Sequence, residues 1–271
     1  MRWPRRKIAH GSKKAISPVI STVILSTTLL VVMLITTGVA TDMLRNQMAS
    51  NEFDAAKSLM KSISTEITSL IYNPDASAVI KASFFYTSPG YTKTGKIMNI
   101  TFTAYGQTFH VSENAFNIES IQGVGGNTDY TLQGSDLTTV PSYLSSFGRI
   151  HISKPFNWRT ALDYNRVQYT YAGVSNLFDG SRTTSYNIVE VTALEMSFTQ
   201  FDTSDSSIIV LHNKGVDTNV FTLTGNWQMT VKTRDEGNKV VSLSQMGGNP
   251  TYPTQLQFNK VNLNIQVMGG S

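Results

Sequence analysis

Hydrophobic and polar positions divide the chain into three textures. From Ala15 to Ala40 no residue is charged over 26 positions, a run bracketed by Lys14 and Asp42. About 20 apolar residues in helical form span the hydrocarbon core of a bilayer, so this run predicts a membrane-spanning helix with some tilt. Globular helices rarely go this long without a charge, which counts against a buried core helix. Beyond it, Leu44, Met48, Ala55, Leu59, Ile63, Ile67 and Leu70/Ile71 recur at helical spacing, with Glu52, Asp54, Lys57, Lys61 and Glu66 between them. That pattern predicts an apolar stripe with a solvated face opposite. Asn73-Pro74-Asp75 ends the helix, because a residue before proline is biased away from helical backbone. The expected helix covers 16–72, apolar over 16–41 and amphipathic over 42–72, and runs roughly 85 Å at 1.5 Å per residue. Its weakest point is Thr36-Thr37-Gly38, where a kink is expected.

After Pro74 the period changes to two. Val189, Val191 and Ala193 alternate with Glu190 and Thr192. Leu256, Phe258, Val261, Leu263, Ile265 and Val267 alternate near the end, with one phase slip at Asn259-Lys260. Eleven such runs, enriched in β-branched and aromatic residues, read as half-buried antiparallel strands. Ser88-Pro89-Gly90, Gly123–Asn127, Asp179-Gly180 and Gly247–Pro250 read as the turns between them. The fold class is therefore α+β: a long N-terminal helix, then a mostly antiparallel β-sandwich head over 73–271. Two smaller sandwiches divided near 138–146 are the alternative.

Composition changes this picture in two ways. The chain has 271 residues and no Cys, which removes disulfides, thiolate metal sites and cysteine nucleophiles. Its net charge of +4 is local. Six cations (Arg2, Arg5, Arg6, Lys7, Lys13, Lys14) precede the apolar run, and the remainder carries 16 cations against 18 anions. A head without a basic balance gives no support for nucleic-acid binding. The same asymmetry places the leader in the cytoplasm and the head outside.

The leader is not a secretory signal of the usual kind, because its small residue comes before the apolar run rather than after it. Lys13-Lys14-Ala15-Ile16-Ser17-Pro18-Val19-Ile20 resembles the processing site of archaeal type IV pilin-like proteins, the class III signal peptide. The resemblance implies cleavage between Ala15 and Ile16 by a prepilin-type peptidase, which removes the basic leader 1–15 and leaves the hydrophobic helix on the mature protein. Pro18 then falls in the first helical turn, where its missing N–H breaks no bond. Bacterial pilins carry a glutamate at the fifth mature position; here it is Ile20, which shifts the resemblance toward the archaeal relatives. Within the apolar run, Ser21, Thr22, Ser26, Thr28 and Gly38 are candidates for helix–helix packing, since small and hydroxylic residues let membrane helices approach and hydrogen-bond. The alternative use of those hydroxyls is bonding back to their own helix.

The head offers little chemistry. His10, His110, His151 and His212 are far apart, with no partner at metal-ligand spacing, and His110 and His151 read as structural hydrogen-bonding groups in strands. Asp202-Thr203-Ser204-Asp205 reads as a turn. No nucleophile elbow or phosphate loop stands out, and no metal, cofactor or catalytic residue is assigned. Trp158, Trp227 and the Tyr169/Tyr171 pair read as packing. Asn99-Ile100-Thr101 is the single sequon, making Asn99 a possible N-glycosylation site.

These readings converge on a non-enzymatic structural subunit of an archaeal pilus-like surface filament. Its expected partners are copies of itself, the peptidase, an assembly ATPase with its membrane platform, and the membrane before assembly. The alternatives are a single-pass anchored surface binding protein or minor pilin, and, more remotely, an anchored surface hydrolase.

Overall fold

The computed structural model describes residues 18–123, 130–133, 139–141, 147–202, 204–233 and 237–270. One helix, α1, runs unbroken over Pro18–Ile71, 54 residues, passing through Thr36-Thr37-Gly38 without interruption. Among the described residues thirteen strands and one short helix follow. Residues 1–47 and 48–271 form two compact units, so the second half of α1 belongs with the strands.

In the second unit α1 buries Ala49, Phe53, Ala56, Met60, Ile63, Ile67 and Leu70. Their steps alternate four and three, the spacing that keeps one stripe facing a neighbour. The stripe is rotated from the expected one in its first turns. Met48 is exposed, as is Ala55, and Leu59 lies at the margin. Phe53, Ala56 and Met60 take the buried positions because the large side chains on that face reach the core. The C-terminus is capped from a distance: Asn213 Nδ2 donates to Leu70 O (2.8 Å) and Asn73 O (3.2 Å). Carbonyls that the last helical turn leaves without partners are thereby satisfied.

The first sheet contains β1 (Ser77–Ser83), β5 (Thr139–Pro141), β8 (Val167–Phe178), β9 (Thr183–Phe201), β10 (Ser206–Leu223) and β13 (Thr254–Gly269), in the order β1-β10-β13-β9-β8-β5. The second contains β2 (Thr87–Phe102), β3 (Thr108–Ser120), β4 (Tyr130–Gln133), β6 (Arg149–Ser153), β7 (Arg159–Asp163), β11 (Gln228–Thr233) and β12 (Gly237–Ser242), in the order β12-β11-β2-β3-β7-β6-β4. The short α2 (Leu243–Met246) starts at a capping box of Ser242 and Gln245. Most described pairings are antiparallel, but β13 and β9 pair in parallel, as do β5 and β8.

Two runs that read as separate strands, 107–112 and 116–121, merge into the single strand β3. Ser88-Pro89-Gly90, expected as a turn, lies inside β2 and pairs with Glu119, Ile118 and Asn117. β11 covers only residues 99–102 of β2, so Pro89 sits on a free edge, where its missing N–H breaks no ladder. The stretch 211–217, whose residues read by themselves as a strand ending in a tight turn, is a bulge inside β10. Asn213 faces Leu263 and Val216 faces Val261, so β10 carries one extra residue, and Gly215 (φ +133) supplies the backbone conformation that a side chain would strain.

The phase slip anticipated in β13 is real and is shared. Buried positions in β9 change from Val189, Val191 and Ala193 to Leu194, Met196 and Phe198 at the level where β13 changes from Leu256 and Phe258 to Val261, Leu263 and Ile265. Each strand thereby passes its buried side chains from one cluster to another. One cluster combines Met98, Ile100, Phe102 and Val111 of the second sheet with Val189, Val191 and Phe258 of the first. The other combines Met60, Ile63 and Ile67 of α1 with Phe116, Ile118, Ile150 and Leu162 of the second sheet and Leu211, Leu263 and Ile265 of the first. The helix is thus a component of the head's core.

Met60→Ala is expected to lower head stability by about 2–5 kcal/mol, because Met60 is fully buried and a cavity replaces it. Gly148→Ala is expected to destabilise by overpacking, since an added Cβ meets the Tyr164 ring at 2.8 Å and Ser64 Oγ at 3.0 Å. Denaturant unfolding of the detergent-solubilised chain measures both.

Candidate functional site

Two arrangements distinguish this molecule. The first is the apolar half of α1. Every side chain from Val19 to Met48 is exposed, including Leu25 at 70% and Leu34 at 65%. This is the one described helix long and apolar enough to cross a membrane. Burying one such aliphatic side chain is worth about 1.5–3 kcal/mol, so fifteen large apolar side chains between Val19 and Leu44 make a surface that water does not tolerate.

Six hydroxyls of this half donate back to their own helix. Ser26 donates to Val23 O (3.1 Å), Thr27 to Val23 O (2.8 Å), Thr28 to Ile24 O (2.7 Å) and Thr41 to Thr37 O (2.8 Å). Thr22 bonds to Val19 O at 2.9 Å, and Thr36 bonds to Val32 O. Each oxygen still has a lone pair with which to accept a bond from outside the helix. Ser21 is exposed, and nothing lies within 4 Å of where a Cβ on Gly38 would stand. Lys13, Lys14, Ala15 and Ile16, the expected processing site, lie outside the described residues, as does His10.

The second arrangement is the seat of α1 in the head. Glu52 was expected on a solvated face, yet its carboxylate is an acceptor for four donors of the β1–β2 connection. Phe85 N (2.8 Å), Tyr86 N (3.0 Å), Thr87 N (2.9 Å) and Thr87 Oγ1 (2.7 Å) all reach it. Three successive N–H groups converging on one anion form a concave cradle, and such charge-assisted bonds are short and strong. No local pattern announces this role; Glu52 and the loop are more than thirty residues apart.

A polar cluster supports the middle of the same seat. Asp163 on β7 is buried and meets Arg149 Nε at 3.1 Å, His151 Nδ1 at 3.3 Å and Arg166 at 4.0 Å. Burial works to raise the Asp163 pKa, but the His151 contact and the charges of Arg149 and Arg166 outweigh it and hold the carboxyl below its ordinary value. Neighbouring Tyr164 packs against Ser64 of α1, its hydroxyl 3.5 Å from Ser64 Oγ. Burial pushes that phenol well above its ordinary value, with bonds to Ser64 and Thr68 pulling back only in part. His151 is thus brought into a charged cluster, although its strand position suggested only a structural group.

The remaining sequence candidates stay apart. Asn99 lies on β2, half-exposed, its Oδ1 2.7 Å from His110 Nδ1 on β3. His212 contacts Ser77 across the β1–β10 pair at 2.9 Å. Trp227 is buried and donates to Thr254 Oγ1 (2.9 Å), whereas Trp158 is half-exposed with the Lys154 ammonium 5.1 Å from its ring. Among the described residues no three His, Asp or Glu side chains gather to hold a metal. No protein-family model, no curated protein and no solved structure matches this chain.

Glu52→Ala is expected to cost about 2 kcal/mol and to expose the β1–β2 connection, read as faster amide exchange at Phe85–Thr87. The pH dependence has two limbs. The lowered Asp163 pKa contributes stability that is present above its ordinary value of 3.8 and is lost as pH falls below it. The raised Tyr164 pKa contributes stability that is present below the ordinary 10.0 and is lost as pH rises beyond it. Tyr164→Phe is expected to flatten the alkaline limb in a pH series of unfolding midpoints.

Proposed function

We propose that this chain is a structural subunit of an archaeal type IV pilus-like surface filament. The observation that carries the reading is the uncovered apolar surface of Val19–Leu44, set immediately after Lys13-Lys14-Ala15-Ile16. A prepilin-type peptidase removes residues 1–15. The apolar half of α1 then holds the subunit in the membrane with its head outside. An assembly ATPase and its membrane platform transfer subunits to the filament base.

Physical chemistry supplies the driving force for the last step. An apolar helix leaving lipid must be covered, and copies of the same helix cover it. Packing that does not close on itself produces an open helical polymer. The hydroxyls along Ser21–Thr41 suit both stages: donors bonded to their own helix tolerate lipid, and their remaining lone pairs accept bonds from neighbours. The head, read as a β-sandwich because both sheets supply side chains to the same two clusters, forms the outer layer and meets surfaces. The chain has no catalytic role in this reading.

Ala15→Arg is expected to block removal of the leader. Intact mass and N-terminal sequencing, run on sheared surface material and on membranes, measure it: the parent chain begins at Ile16 in the sheared fraction, and the variant stays full-length in membranes. A parent chain found unprocessed and confined to membranes would identify an anchored surface protein instead.

A further inference from the structure

The register of both sheets gathers a set of connections at one end of the head. In the second sheet Thr87 faces Ser120, Glu119 faces Arg159, and Ser153 faces Arg159, so the β1–β2, β3–β4 and β6–β7 connections emerge together. Ile121 N bonds to Tyr86 O (2.8 Å), and Ser120 N bonds to Trp158 O (2.8 Å). In the first sheet Ser83 faces Ser206 and Ser207 faces Gly269, which brings the β9–β10 turn to the same end. Glu52, gripped by residues 85–87, places the first turns of the head's helical segment there too.

This end carries apolar side chains that the head does not use. Phe156 is 90% exposed, Phe85 62% and Ile121 60%. Each stands on a different connection, as separate tips. Lys154 lies over the half-exposed Trp158. An aromatic ring accompanied by a cation that can extend past it suits the boundary between lipid and water.

We infer that this end of the head is a membrane-apposed surface, with Phe85, Ile121 and Phe156 entering the interfacial layer of the bilayer while the subunit waits for assembly. The inference rests on the membrane-held stage proposed above. The covalent tether selects a bilayer as the occupant. Six residue steps lead from Asp42, the first charge after the apolar run, to Met48, the first residue of the head. At no more than about 3.6 Å each they span at most about 22 Å, so this end of the head stays near the headgroups whenever the apolar run is embedded. The exposed Asp202 and Asp205 of the β9–β10 turn limit the depth, leaving shallow insertion of the tips.

The chain has no cysteine, which allows a clean test. Single variants Phe85→Cys, Phe156→Cys, Leu30→Cys and Phe178→Cys of the full chain each take an environment-sensitive dye. They are reconstituted at low density into vesicles of phosphatidylcholine and phosphatidylglycerol containing, in separate preparations, lipid spin-labelled near the headgroup or deep in the acyl chain. Phe178 serves as the control, being 71% exposed at the opposite end of the first sheet, where β8 turns into β9. Labels at 85 and 156 are expected to shift to the blue and lose emission to the spin label, while the label at 178 does neither. Quenching at 30 by deep spin label without quenching at 85 and 156 overturns the inference and leaves the anchoring reading intact. Absence of quenching at 30, 85 and 156 by either spin label overturns both. Blue-shifted labels at 85 and 156 that respond to subunit density rather than to spin label identify a second head as the occupant, and overturn the bilayer.

Discussion

One helix presents two kinds of surface. From Ala49 to Leu70 it buries a stripe at alternating four- and three-residue steps in the core between the sheets, and the opposite face stays polar. From Val19 to Met48 none of the described residues covers it. The buried stripe supplies Met60, Ile63 and Ile67 to a cluster that both sheets share, so the head has no complete core without the helix. The second half of α1 is therefore a packed, hydrogen-bonded element of the head itself.

Polar groups secure this seat at both ends and in the middle. Glu52 gathers three backbone N–H groups and a hydroxyl near the start. Tyr164, beside the Asp163–Arg149–His151 cluster, meets Ser64 midway. Asn213 takes up the carbonyls at the end. Such groups contribute modestly when satisfied and cost more when left unpaired, so they specify one position of the helix along the sheets. Apolar packing alone would tolerate sliding by a turn; these three contacts do not.

The same economy explains the irregularities in the sheets. The bulge at Asn213–Val216 that bends β10 also aims Asn213 at the end of α1. Phase changes in β9 and β13 at one level let long strands serve two clusters, one lined by the helix and one beyond it. A head with only short, regular strands would expose one of those clusters. The cation-flanked tryptophan and the bare phenylalanine tips are not required by this internal order, which is why they point to something outside the chain.

Much of this was legible in the chain itself. Charge-free length, basic leader, helical and two-residue periods, and the proline that ends the helix are local signals, and local steric and solvation rules read them directly. The strand-like runs Arg149–Ser153 and Gln228–Thr233 coincide with β6 and β11 for the same reason. What only the tertiary structure decided are relations between residues far apart in sequence. Glu52 looked like any solvated acid until a loop thirty residues on turned its amides toward it. The stripe looked continuous through Ala55 until the sheets selected Phe53, Ala56 and Met60 instead. The parallel pairing of β13 with β9 and the convergence of Asp163, His151 and Arg149 follow from strand order, which no local period encodes. A period reports that one face will be buried, whereas the partner that buries it is chosen by the packing of the whole chain.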